Sequence, residues 1–349
     1  MPMKEQNIQK FNLSQEEIIK NILPEFNVFN STIEEIKVKN TDKQRAVYKI
    51  ESQDNTLFCL KKVYYNEKDL LFIYSVVEWL YRNGIHVARF LPSKNGSRFV
   101  NYNSMLFILT PWIHGEKCDY DSMDTLINVT KTLAKLHKCS ENFTPIHGSN
   151  FKTGYDDLYI SLGKHLEQLL NCYNKAVITN DTFSSMFLST FEINLQLAKK
   201  AFNLAASINV DNLSRSICHG DYVNKNILID SNGETCIIDF DKCCIDFSAH
   251  DIGYFFRRLL RRDNTNWNLD LTQNCLAAYN SIKKLNQDDL AYVLAYILFP
   301  QKYWRLSRDY YNNLNKVNKI SFCNLMRKIN DKAESQFDFM CKISHDLLN

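Results

Sequence analysis

The sequence predicts an α+β chain in two lobes, β-rich over residues 1–110 and larger and mainly helical over 111–349. Three observations predict it. Short runs dense in β-branched and aromatic residues crowd the first 110 positions, bounded by turns rich in Asn, Asp and Gln. Past Thr110, Pro111 and Trp112 the apolar spacing lengthens to the helical period. No internal repeat or low-complexity linker interrupts either part.

Taken in order, Ser14 followed by Glu17 forms a capping box that opens a short helix stopped by Pro24. Strands are expected at Thr32–Lys39, Arg45–Glu51 and Leu57–Val63. A helix over Glu67–Arg82 places Leu70, Leu71, Tyr74, Val77 and Leu80 on one face, and Gly84 follows as a left-handed cap. Residues 87–91, 98–101 and 105–109 read as further strands, so the first lobe holds five or six. Helical spacing then runs over 124–138, 158–173 and 183–206. Two strands, 226–230 and 235–238, are joined through Asn232 and Gly233, a pair that favours a type I′ hairpin turn. Helices are expected at 251–262, 271–285, 288–299 and 302–311, with a last one from about 321.

Composition narrows the class. The chain is 45% hydrophobic and 23% charged, with 22 Phe and 18 Tyr, which implies a globular protein with an aromatic core. A net charge of +3 provides no global field for nucleic acid or a membrane surface. Arg257, Arg258, Arg261 and Arg262 form the one basic run, spread over more than one helix face; they are expected to form ion pairs and to rim a substrate cleft. The 11 cysteines contain no C-x-x-C pair, and the adjacent Cys243 and Cys244 cannot easily share a disulfide or a metal. Reduced thiols and cytosolic synthesis are the expectation. Residues 1–10 carry no apolar signal core, and the longest apolar run, 290–299, is too short to span a bilayer.

Between Cys218 and Asp241 lie a carboxylate and an amide on one loop, a hairpin, and a second carboxylate pair. Phosphoryl transfer needs a group to orient the attacking hydroxyl and oxygen ligands to hold Mg²⁺ on the phosphates. Asp221, Asn226 and Asp239 match those needs in order. Asp221 is the candidate base, against the ordinary alternative of a turn or N-cap aspartate. Asn226 opens the first strand of the hairpin and Asp239 closes the second, so both stand at one end of it, as ligands of a single hard cation must. Asp241 assists the metal or substrate, or serves as a structural partner; both readings stand. Lys225 lies in the loop, either near the phosphates or simply solvated.

The pattern H-G-D-x-x-x-x-N followed by I-I-D-F-D resembles the aminoglycoside phosphotransferase and choline kinase superfamily, relatives of protein kinases. The stretch from Asp251 to Arg262, the Trp267 region, Tyr303-Trp304-Arg305, Leu60-Lys61-Lys62-Val63 and Trp112-Ile113-His114-Gly115 narrow the likeness to spore coat proteins of the CotS type. It spans roughly residues 18–338. The resemblance implies a bilobed protein kinase-like fold, a nucleotide-binding lobe at 1–110, and a catalytic and substrate lobe at 111–349. It also implies ATP and Mg²⁺ as cofactors, a hydroxyl-bearing acceptor, and association with the spore coat and its other proteins.

By that resemblance His219 braces the catalytic loop and Asp251 holds it from behind. The alternative for Asp251 is a plain helix N-terminal carboxylate. Lys61 or Lys62 should contact the α and β phosphates; alternation lets only one face the nucleotide, and the resemblance favours Lys61. Its acidic partner is open between Glu67 and Glu78. Thr110 and Trp112 would offer backbone groups to adenine. One departure stands out: residues 40–45 contain no glycine, so this turn covers phosphates less closely than a glycine-rich loop. A kinase-fold coat protein with weak or absent turnover is therefore the alternative function.

Overall fold

The computed structural model describes residues 13–39, 45–140 and 142–348. Most of the glycine-free turn, at 40–44, lies outside the described residues. Alternation along the early strands builds one antiparallel sheet from β1 (Thr32–Lys39), β2 (Arg45–Glu51), β3 (Leu57–Val63), β4 (Val100–Tyr102) and β5 (Met105–Pro111). Their spatial order is β1-β2-β3-β5-β4. One face carries Tyr48, Ile50, Leu60, Phe107 and Leu109 into a core closed by Ile18, Ile22 and Leu23. Ile18 lies in the capped N-terminal helix Gln15–Asn21, Ile22 ends it and Leu23 opens the 3-10 turn that follows; at the helix start Glu17 N donates to Ser14 Oγ and Ser14 N to Glu17 Oε2. The expected strand at 87–91 does not form. Val87 bridges Ile237 while Leu91 N donates to Leu109 O, so two different neighbours each take one residue and no ladder develops.

The Glu67–Arg82 helix ends as expected, with Gly84 left-handed at φ 75° and Ile85 N returning to Leu80 O. Its burial is wider than one face, because residues 142–152 cover a second side. Phe72 meets Phe143 and Phe151 edge-on at 6.0 and 6.2 Å, and Ile146 N donates to Ser75 Oγ. The first compact unit accordingly comprises the described residues up to Glu116, together with Asn142–Lys152 and Leu228–Asp241. The second holds Lys117–Glu141, Thr153–Ile227 and the described residues from Lys242 on. The division is thus discontinuous, unlike a single boundary near 110.

The carboxylate-bearing hairpin pairs Ile227–Ile229 with Thr235–Ile237. Its turn is not the type I′ pair. Gly233 is left-handed but Asn232 is not, and Asp230 Oδ1 accepts from both Asn232 N and Glu234 N. A side-chain acceptor at the start of the turn competes successfully for the backbone donors. Ile237 N donates to His86 O, which ties the second strand into the first unit.

The second unit is helical around a small sheet of Arg215–Cys218 against Cys244–Phe247. The stretch expected as one helix at 183–206 splits into Thr182–Ser189 and Phe191–Ala206, because Thr190 leaves helical geometry and donates through Oγ1 to Asn330. The last helix also divides, into Lys319–Asn330 and Ala333–Leu348. The abundant aromatics stack in this unit: Phe183 on Tyr310 at 3.8 Å and Phe187 on Tyr303 at 4.9 Å. No disulfide joins the described cysteines, and among the described residues no helix is long and apolar enough to cross a membrane.

Candidate active site

In the first unit the site begins with strand alternation. Leu60 and Phe58 point into the sheet core, so Lys61 points to the opposite face, where Arg45 also lies by the same period along β2. Lys61 Nζ donates to Asp239 Oδ1 at 2.8 Å and to Asp241 Oδ1. Arg45 Nη2 donates to Asp239 Oδ2 at 3.0 Å, and Nη1 stands 3.1 Å from Asp241 Oδ2. The latter is an ion pair only; no donor is aligned to hydrogen-bond that buried oxygen. Tyr65 donates its hydroxyl to Asp241 Oδ1 at 3.3 Å. Asp239 adopts φ 67°, a left-handed conformation that aspartate tolerates better than most residues, and the chain turns there into Phe240–Lys242.

Burial works against the Asp239 anion, but the Lys61 ammonium and the Arg45 guanidinium outweigh it and hold its pKa well below the usual carboxylate range. The same contacts raise Arg45 against its own burial. Lys62 is buried on the other face, which lowers its pKa. Neither proposed helix acid reaches Lys61: Glu78 is taken by Arg89 at 2.8 Å and Arg82 at 2.9 Å. The lysine's acidic partners are the two aspartates instead. Thr110 pairs with Cys59 across β3 and β5, and Trp112 donates its N–H to Leu57 O while Lys49 Nζ stands 5.5 Å from the centre of its ring. Gly115 is needed as glycine, because a Cβ there would lie 2.7 Å from Ile229 O.

In the second unit the strand Arg215–Cys218 delivers the chain to His219. Asp251, buried near the start of the Ser248–Leu260 helix, accepts His219 N at 2.7 Å on one oxygen and Gly220 N at 3.0 Å on the other. This is more than a helix-dipole carboxylate; it splints the loop. His219 Nδ1 accepts Asp221 N at 3.2 Å, adding a second brace. Gly220 sits at φ 71° with Lys242 O only 2.7 Å from where a Cβ would be, so any side chain there meets both strain and a clash. Buried Asp251 would be pushed up by desolvation, yet contact with His137 and the loop amides keeps its pKa low. His137 and Cys218 lie beside Asp251 closely enough to suggest a metal trio. Both Asp251 oxygens already accept loop amides, which accounts for the cluster structurally.

The loop presents Asp221 with its side chain mostly buried. Oδ1 accepts Tyr254 Oη–H at 3.0 Å; Oδ2 accepts Lys225 Nζ at 3.2 Å and has Lys242 Nζ at 3.6 Å. Burial raises its pKa, but Lys242, Lys225 and the Tyr254 hydroxyl together bring it below the ordinary value. Asn226 donates Nδ2–H to Asp221 O at 2.9 Å. That bond fixes the amide and leaves Oδ1 with no protein donor among the described residues. In the second unit the anchored Asn226 amide oxygen, and in the first the Asp239 and Asp241 carboxylates, are each oxygen ligands of the kind a hard cation such as Mg²⁺ takes. Arg45, Tyr65, Lys242 and Tyr254 were not singled out as site residues from sequence. For Arg45 the signal existed, in its two-residue period along β2; for the other three no local pattern marks the role.

The sheet-bearing first unit and helical second unit define the bilobed α+β fold of the protein kinase-like superfamily. An aminoglycoside phosphotransferase from Alicyclobacillus acidocaldarius matches with a TM-score of 0.77 at 18% identity, over 89% of this chain and 94% of that one. A spectinomycin phosphotransferase in complex with ADP and spectinomycin matches at 0.65 and 17%, over 94% and 98%. A microcompartment-associated aminopropanol kinase matches at 0.59 and 16%, over 96% and 99%. At these identities the likeness is one of fold. The sequence profile of the family described as spore coat putative kinase YutH matches residues 33–343, and the chain belongs to that family.

Proposed function

We propose that this protein transfers the γ-phosphoryl group of ATP, with Mg²⁺, to a hydroxyl of a small molecule or a spore coat component. The observation that carries the reading is the Asp221–Asn226 loop, splinted by Asp251, with an ionised carboxylate and an anchored amide held on it. Asp221 orients the acceptor hydroxyl and takes its proton as the new O–P bond forms. The β–γ bond of ATP breaks and its bridging oxygen leaves with ADP. The low basicity of Asp221 suits orientation followed by late proton transfer. Lys61 binds the α and β phosphates, assisted by Arg45 on the same strand face. Thr110 and Trp112 flank the base. Asn226 and Asp239 would hold Mg²⁺, with Asp241 as an auxiliary ligand; when bound, the ion neutralises charge developing on the phosphates. Lys225 and Lys242 keep Asp221 ionised.

A thermal-shift titration with ATP, with and without Mg²⁺, tests the proposal, since a ligand that binds only the folded state raises its melting temperature. A Mg²⁺-dependent rise is expected, and Asp239→Ala should erase the dependence. Asp221→Ala should keep the shift while lowering turnover about 10²–10⁴-fold. No metal-dependent shift in folded protein would overturn the reading.

One observation favours a second reading, a kinase-fold protein with an assembly role in the coat and little turnover. Arg45 and Lys61 already neutralise Asp239 and Asp241, so that cluster is self-satisfied without a metal ion. Under that reading ATP would leave the melting temperature unchanged at any Mg²⁺ concentration.

A further inference from the structure

A cavity of about 850 Å³ opens wholly within the second unit, lined by eight Lys and Arg side chains and two Asp. Arg257, Arg258, Arg261, Lys302, Arg305 and Lys328 have no carboxylate within ion-pair distance among the described residues. Of the four arginines expected to form ion pairs, only Arg262 finds an acidic partner, Asp121 at 3.3 Å. Arg257 Nε and Arg262 Nε are buried with no hydrogen-bond acceptor. Burial and mutual repulsion bring the Arg261 pKa down to about 10 and lower that of Lys302 as well.

The helix Gln301–Asn312 adds to the same field. It begins at this cavity with Pro300 as N-cap, no side-chain cap and no acidic residue in its first turn. Lys302 and Arg305 stand instead at its positive end, where helix stability disfavours them. Six cations without a carboxylate partner and a helix N-terminus without a side-chain cap face one cavity, a field that favours an anion.

Position supplies the function. Tyr254 lines the cavity and donates to Asp221, so the proposed base lies one side chain from the cationic wall within a single unit. We infer that this cavity is the acceptor site and that it takes an anionic hydroxyl compound, a sugar or polyol bearing phosphate or carboxylate groups. The volume suits a ligand of one to two sugar rings, within the roughly 300–1,000 Å³ of small-molecule sites. The inference rests on the phosphotransferase reading for the word acceptor, while the anion preference stands on the cavity alone.

Calorimetric titration with glucose 1,6-bisphosphate, glucose and glucosamine compares one ring carrying negative, no and positive charge. The bisphosphate should bind at least about tenfold more tightly than glucose, glucosamine should bind most weakly, and added salt should weaken the bisphosphate. Arg258→Ala combined with Arg305→Ala should reduce bisphosphate affinity by at least about tenfold, with folding checked by circular dichroism. Lys61→Ala and Asp239→Ala, in the other unit, should leave it intact. Equal affinity for the three ligands overturns the inference. So does a bisphosphate lost on Lys61→Ala but kept in the double variant, because the anion would then occupy the nucleotide half. ATP titration of the wild-type protein separates the two proposals: absence of a Mg²⁺-dependent shift defeats the phosphotransferase reading, whereas absence of charge discrimination among the three sugars defeats this one.

Discussion

Arg45 and Lys61 meet Asp239 and Asp241 two against two, whereas the cavity beside the Ser248–Leu260 helix sets eight cations against two carboxylates. Both clusters gather lysine and arginine side chains, and both bear on the proposed reaction. They differ in what completes them. In the first unit the counter-charges are covalent parts of the chain, so the cluster contributes to the fold and resists perturbation. In the second only Arg262 and Lys332 have carboxylate partners among the described residues, so the other six cations repel one another, a repulsion that a bound anion would relieve. Internal pairing marks a place that holds geometry, and unpaired charge of one sign marks a place that waits for a ligand.

The contrast is broken most directly at Asp241, whose side chain is 7% exposed. Asp241→Ala leaves Lys61 and Arg45 with one carboxylate between them. It should lower the unfolding free energy by about 2–4 kcal/mol in urea denaturation, somewhat under the roughly 3–5 kcal/mol for stripping a buried charge of its only partner, because Asp239 remains. A loss under about 0.5 kcal/mol, the scale of an ordinary surface substitution, would show the square to be solvated and the comparison false.

A smaller effect is expected at His165. Burial first, then Arg308, Arg305 and Arg257, push its pKa down to about 4. The unfolded chain binds a proton near pH 6.5 that the native ring refuses, so this group's contribution to stability falls as pH drops from 6.5 towards 4 and levels off below. With partial exposure discounted the loss is about 1–3 kcal/mol. His165→Gln should flatten the pH–stability curve in that window; an unchanged slope would mean the arginine field does not reach the ring.

The smallest effect concerns Arg258. Supplying the cavity with its own carboxylate, Arg258→Glu, should leave stability unchanged or raise it by up to about 1 kcal/mol. A drop of more than that in the same urea experiment would mean that the arginine has a partner the comparison denies it.

Much of this was legible in the sequence where the determinants are local. The bounds of β1 to β3 and of the Glu67–Arg82 helix followed from alternation, the apolar period and the Gly84 signal at the helix end. Asp221, Asn226 and Asp239 could be named together as a candidate trio because they lie on one short stretch with a hairpin between them. Non-local bonds were invisible. Thr190 breaks a helix by bonding Asn330, 140 residues away, and no neighbour of Thr190 announces it. The charge square eluded the reading because Arg45 and Asp239 are 194 residues apart. The cavity was half visible: Arg257, Arg258, Arg261 and Arg262 form a run, but Lys302 and Arg305 join them only through packing of a later helix. Asp230 illustrates a different failure, in which the dipeptide rule for Asn232 and Gly233 yields to a carboxylate two residues earlier.

The discontinuous first unit has a consequence for how the chain is made. Its sheet is complete at residue 111, but its last member, Asp241, is translated 125 residues after Glu116. At about 5–20 residues per second that is a wait of roughly 6–25 s on the ribosome. Throughout it Lys61 and Arg45 have neither Asp239 nor Asp241 to face, and the carbonyl of His86 lacks the amide of Ile237. A chain that ends at 116 therefore holds the complete sheet but lacks both Asn142–Lys152 and Leu228–Asp241 of the same unit.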